Sequence, residues 1–176
     1  MGPRRATEAT NRLILAHHPR QPMILLGVAG GLSSGDRPGD VIVATSLFGG
    51  DGTDEVDLGE ARGVLELLKR ENIEAREGKI VSVEAIVHGE VRRRELAGRG
   101  ALAVDMESLW CAPLAQYHPF VVIRVLLDVP GKELRSRAVI GATREAYRSL
   151  KTIARTLATW SPVSVIGYPL PEVGEG

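Results

Sequence analysis

Phe120-Val121-Val122-Ile123-Arg124-Val125-Leu126-Leu127-Asp128 is a nearly unbroken apolar run closed by an acid. Such a run, rich in β-branched residues, reads as a strand buried on both faces, the kind found in sheets covered by helices. Towards the N-terminus, residues 23–28 read the same way and end in a glycine turn, Gly27-Val28-Ala29-Gly30-Gly31. Residues 41–45, 79–87 and 101–104 add further strands, the first introduced by the turn Arg37-Pro38-Gly39-Asp40. Helices are predicted over residues 7–18, 57–72, 90–98, 105–118 (kinked at Pro113) and 135–160. In the second of these, Leu58, Ala61, Leu65 and Leu68 form one apolar stripe and Asn72 suits the C-terminal cap. Residues 48–54, where glycine and aspartate recur, read as a mobile loop, and the tail from Ser161 as irregular. Strands alternating with helices predict an α/β fold, a three-layer αβα arrangement with a central mixed sheet, in one domain over residues 1–176. In such sheets ligands lie beyond the carboxyl ends of strands, where Gly27 to Gly31 and Asp128 are expected.

Bulk composition narrows the function classes. Among 176 residues, 22 Lys and Arg balance 22 Asp and Glu, so no net field points to nucleic acid or an anionic membrane. No apolar run approaches the ~20 residues that span a bilayer, and the N-terminus lacks a signal-peptide core, so a cytosolic protein is expected. Cys111, the single cysteine, excludes an internal disulfide and a multi-cysteine metal site, and its apolar neighbours predict a buried, inert thiol.

Three stretches carry chemistry. In Ala103-Val104-Asp105-Met106-Glu107-Ser108, Glu107 is placed in the first turn of a helix. Exposed backbone N–H groups there stabilise a carboxylate that can accept hydrogen bonds from a sugar diol. The plain alternative is that Asp105 caps the helix and Glu107 complements its dipole. Asp128, ending an apolar strand, is expected to be partly desolvated, which favours its protonated form and suits a general acid. Its plain alternative is a turn aspartate before Val129-Pro130-Gly131. The glycine turn lets a ligand approach the backbone but has neither the dinucleotide nor the P-loop pattern.

Taken together, the glycine turn, the Pro-Gly-Asp strand, Val-Asp-Met-Glu-Ser and Arg-Val-Leu-Leu-Asp resemble the purine nucleoside phosphorylase, uridine phosphorylase and nucleosidase superfamily. The resemblance runs from about Gly2 to about Leu134. It implies that Glu107 binds the ribose 2′- and 3′-hydroxyls, that Met106 packs on the sugar, and that Asp128 protonates N7 of a purine. Ile86 and Val87 would lie against the base, and Ala29 and Gly30 on the ribose and nucleophile side. Phosphorolytic members carry an arginine on the strand entering the glycine turn. Here that strand reads Met23-Ile24-Leu25-Leu26, and an apolar side chain cannot replace a guanidinium at phosphate. Hydrolysis is therefore expected; phosphate would be a co-substrate only in a phosphorolytic alternative, and no cofactor or metal is implied.

Within the superfamily, Gly-Val-Ala-Gly-Gly-Leu, Ala-Val-Asp-Met-Glu-Ser and Asp-Val-Pro-Gly-Lys-Glu-Leu look most like the hopanoid- and isoprenoid-associated members. Those remove adenine from an adenosyl-lipid. Family members are commonly dimers or larger homo-oligomers, for which Trp110, Leu114 and Tyr117 offer an interface or simply a core. Relatives begin with an extra strand; Met1-Gly2-Pro3 resembles the segment that follows it, which implies a chain lacking the first strand and part of its site. A truncated, non-catalytic nucleoside-binding or oligomer-forming protein is the alternative to an enzyme. His17 and His18 are read as complementing the dipole at a helix end, His88 as an exposed loop histidine and Arg92-Arg93-Arg94 as a solvated helical face, and Asp51, Asp54 and Glu55 lack a calcium-loop spacing.

Overall fold

The computed structural model describes residues 2–15, 21–52, 55–130, 139–158 and 160. The element order is α1 (Pro3–Leu15), β1 (Met23–Gly31), β2 (Val41–Gly49), β3 (Val56–Asp57), α2 (Ala61–Arg70), β4 (Arg76–Ser82), α3 (Glu90–Gly98), β5 (Ala101–Asp105), α4 (Ser108–Cys111), a 3-10 segment (Ala112–Gln116), β6 (Phe120–Asp128) and α5 (Val139–Leu157). The strands form one mixed sheet in the order β3-β2-β4-β5-β1-β6. A further antiparallel contact between β2 and β6, with Val41 opposite Val125, bends the sheet back on itself.

Period-two alternation along the apolar strands makes the layers. Val41 and Val43 of β2 and Val121, Ile123 and Val125 of β6 face Ala61, Val64 and Leu68 of α2 and Ala146, Ile153 and Leu157 of α5. Ile42, Ala44, Phe120, Val122 and Leu126 face the other way, against Ala6 of α1 and Cys111, Ala112 and Leu114. The fold is thus the expected α/β arrangement with helices on both faces of a central mixed sheet. Leu68 is wholly buried in the first layer. Leu68→Ala is expected to lower the free energy of unfolding by about 2–5 kcal/mol, as transfer and cavity terms add. Urea denaturation measures it, and a loss well below that range would mean that α2 is not held by this seam.

Several boundaries differ from those predicted. The glycines at 27–31 are not a turn: β1 runs through them to Gly31, because neighbouring strands pair with both sides of its end. Likewise β2 continues to Gly49, into the stretch expected as a loop. The strand predicted over residues 79–87 starts earlier and stops at Ser82, which leaves Ile86 and Val87 in a loop. The helix predicted over residues 105–118 shrinks to α4 and a 3-10 segment, since Pro113 supplies no N–H. Asn72 does take the left-handed conformation expected of it, with φ of 56° past the end of α2. His17, His18, Asp54, most of the segment after Asp128 and the tail from Ser161 lie outside the described residues.

The register assembles the ligand-facing end. Gly30 lies opposite Asp128 in the parallel β1–β6 pair and opposite Val104 in the antiparallel β1–β5 pair. Ser82 lies opposite Asp105 in the parallel β4–β5 pair. Three stretches distant in sequence therefore meet around one glycine.

Candidate active site

A cleft of about 230 Å³ opens over this meeting point. The end of β1 contributes Val28, Ala29 and Gly30, and the loop after β4 contributes Val83, Ala85, Ile86 and Val87. Val104, Asp105, Met106 and Glu107 come from the end of β5 and the bend after it, Leu127 and Asp128 from β6, and Arg93 from α3. The structure brings Ala29, Gly30, Ile86, Val87, Met106, Glu107 and Asp128, all singled out in the sequence, to this one cleft. Its walls are mostly aliphatic, with charge confined to a few side chains, the usual composition of a small-molecule site. Among the described residues, no group of three or more His, Cys, Asp or Glu is arranged to hold a metal ion.

On one side of the cleft lies a buried polar network. Arg124 projects from β6, its Nε donating to Asp105 Oδ2 at 2.7 Å and its Nη2 to Ser108 Oγ at 2.9 Å. Ser82 Oγ donates to Asp105 Oδ1 at 2.6 Å, and Ser108 Oγ also donates to Asp105. Asp105 Oδ1 in turn accepts the backbone N–H groups of Glu107 and Ser108 at 3.3 and 3.2 Å, which pins the bend before α4, although Asp105 is not the N-cap of that helix. Glu107 is not inside a helical turn as predicted but at the N-cap position of the short α4, with φ of −142°. Its Oε2 lies 3.9 Å from Arg124 Nη2, and its Oε1 accepts the backbone N–H of Gly2 at 3.1 Å. The carboxylate thus sits between a fixed cation and the start of α1, with about a fifth of its side chain exposed to the cleft.

Gly27 explains how a strand interior accommodates this arginine. A Cβ at Gly27 would stand 2.1 Å from Arg124 Nη1. Any side chain there would evict the guanidinium, so the glycine read as a turn residue is in fact a passage for Arg124 across β1.

Asp128 does not occupy the apolar isolation that its strand suggests. Arg93 Nη2 donates to its Oδ2 in a buried ion pair, while Arg93 Nη1 donates to the Gly31 carbonyl. Local reading leaves Arg93 on a solvated face with Arg92 and Arg94, which are exposed; Arg93 itself is 2% exposed. The helical repeat accounts for the difference: Arg93 lies one turn before Leu96, and both occupy the buried face of α3.

Other expectations can be placed. Burial pushes the Cys111 thiol above its ordinary range, consistent with an inert side chain. Hydrogen bonds from Lys79 and Ser46 hold the Glu55 carboxyl below its usual range, so Glu55 serves an ion pair. Leu114 is core and Trp110 packs against it, whereas His88 is exposed and outside the cleft.

The model of the phosphorylase superfamily matches residues 1–159 of this chain. The chain belongs to the phosphorylase superfamily. Comparison with curated protein sequences gives no match. Among solved structures, it is similar to the futalosine hydrolase of Helicobacter pylori strain 26695, with a TM-score of 0.75 and 22% identity over 90% of this chain and 76% of that one. It is equally similar to the 5′-methylthioadenosine/S-adenosyl homocysteine nucleosidase of Campylobacter jejuni, with a TM-score of 0.75 and 19% identity over 91% and 78%. At these identities the likeness establishes a shared fold. Among the described residues, no helix is long and apolar enough to cross a membrane.

Proposed function

We propose that this superfamily member cleaves the N-ribosidic bond of a purine nucleoside, adenine-containing, by hydrolysis. The observation that carries the reading is that Glu107, Asp128, Met106, Ile86 and Val87 all line one cleft. Glu107, backed by Arg124, accepts hydrogen bonds from the ribose diol and stabilises positive charge as the sugar becomes oxocarbenium-like. Asp128 serves the departing base as proton donor at N7: the oxygen not taken by Arg93 takes up a proton from solvent and passes it to N7 as the bond to the sugar breaks, so that the base leaves neutral. Ala29 and Gly30 line the ribose side, where the nucleophile approaches.

Water rather than phosphate is favoured by the apolar entry of β1, Met23 to Leu26, which offers no guanidinium. The cation that the cleft does contain, Arg93, is engaged by Asp128 and the Gly31 carbonyl. Superfamily relatives of the same fold are a futalosine hydrolase and a 5′-methylthioadenosine/S-adenosyl homocysteine nucleosidase, both named for reactions of the proposed kind. Val28 and Ile86 line the cleft yet remain 40% and 54% exposed. Such an apolar rim suits a nucleoside with an apolar 5′ substituent, an adenosyl-lipid included.

The test incubates the full chain with adenosine and with 5′-alkylthioadenosines of increasing chain length, with and without phosphate. Adenine and free ribose (or its 5′ derivative) are expected regardless of phosphate, faster for the longer alkyl chains. Release only with phosphate, giving ribose 1-phosphate, would establish phosphorolysis instead. No release from any of these nucleosides would leave a binding or assembly role.

A further inference from the structure

We propose that Arg93 is the positioning residue of Asp128, holding one carboxylate oxygen so that the other faces the cleft. The inference rests on the nucleoside reading of the cleft and adds a residue to it. Arg93 Nη2 takes Asp128 Oδ2, and Nη1 is tied to the Gly31 carbonyl, so the planar guanidinium is fixed at two points. Oδ1 is left on the side of Gly30. A Cβ at Gly30 would stand 3.0 Å from Asp128 Oδ1 and 3.1 Å from Arg93 Nη1. The missing side chain therefore leaves open the space beside Oδ1.

Two further observations set this pair apart from a packing ion pair. Arg93 Nε is buried with no hydrogen-bond partner among the described residues, an arrangement that core packing alone would not select. The surrounding side chains, Val104 and Leu127 among them, are aliphatic. Among the described residues, the side chain that holds the Asp128 carboxylate is Arg93. Without Arg93 the carboxyl group loses this fixed partner, and the hydrogen bond that a protonated Oδ1 donates to a base N7 loses direction.

Binding of free bases tests this without requiring turnover. The probes are adenine and 7-deazaadenine, which differ in the N7 acceptor, titrated calorimetrically against wild type, Arg93→Met, Arg93→Lys and Asp128→Ala. Wild type should prefer adenine by about tenfold or more, the worth of one hydrogen bond to a charged or strongly polar group. In Arg93→Met the preference should fall to about twofold or less, close to that of Asp128→Ala, which has no group left to bond N7, with packing of the base on the cleft walls retained. A structural role alone would weaken both bases equally and leave the ratio unchanged. Should Arg93→Met not fold, Arg93→Lys decides, since it keeps the charge but lacks the planar fork that ties Asp128 to the Gly31 carbonyl: a lowered ratio supports positioning and an unchanged one overturns it.

An Arg93→Met protein of native circular dichroism that keeps the wild-type ratio overturns the proposal. So does a wild type that does not distinguish the two bases, or that binds neither. Adenine bound with the expected ratio, but no nucleoside cleaved, would remove only the hydrolytic reading and leave Arg93 in its role.

Discussion

Asp128→Asn is expected to lower adenine release from an adenosyl substrate by about 10²–10⁴-fold, the usual contribution of a general acid or base. Asparagine keeps the size of the side chain, and its amide oxygen can still accept from Arg93, so the sheet around Gly30 should survive. What disappears is the carboxyl proton that would pass to N7. Two measurements separate chemistry from collapse: the thermal midpoint, expected to move little beside the rate, and the saturation behaviour, in which kcat should fall more than KM rises. Undiminished release by a folded Asp128→Asn protein would remove Asp128 from the proton-donor role and, with it, the central chemical claim.

The second large effect is on stability. Arg124→Met should destabilise the chain by about 3–5 kcal/mol, because it strands a buried carboxylate without its cation. Asp105 would lose the 2.7 Å contact from Nε, and Ser108 its donor from Nη2. Glu107 would lose the positive charge 3.9 Å away. The double variant Asp105→Asn/Arg124→Met should recover a substantial part of the loss, since the stranded charge is then gone. Urea denaturation of the two proteins measures the difference. If the single variant were as stable as wild type, the network would not be what holds the end of β5 against β6. In a variant that stays folded, catalysis should also fall, as the Glu107 carboxylate loses its fixed neighbour.

How much of this was legible in the chain depends on the range of the signal. The apolar runs at β1, β2 and β6 announce buried strands, and the acid that closes β6 stands out against its run, which is why Asp128 could be singled out; Glu107 instead shows through the stretch Val-Asp-Met-Glu-Ser after β5. The residues flanking them, Met106, Ala29, Gly30, Ile86 and Val87, follow from the superfamily resemblance and reach the same cleft. Strand limits were poorer. Gly27 to Gly31 carry every local mark of a turn, but pairing with β5 and β6 keeps them extended, a tertiary override of propensity. Arg93 was missed because three adjacent arginines look like a polar face. The available signal was its spacing of three to Leu96 and four to Ala97, which places it on the apolar stripe of α3. Arg124 was legible only as part of a motif; its alternation with Val122 and Leu126 shows that it points inward, yet only Gly27 and Asp105 reveal where its charge goes.

The position of Gly30 between Val104 and Asp128 bears on how the protein reaches its working state. Each of these pairings joins segments remote along the chain, and the bond from Gly2 to Glu107 spans 105 positions. Contacts of that kind form only after large loops have closed, so they are slow to appear and belong to the completed sheet rather than to any early fragment. A chain with its helices made but β1 not yet seated between β5 and β6 would have no cleft at all. Recognition in this protein is therefore a property of the finished topology, acquired in the same step that completes the fold.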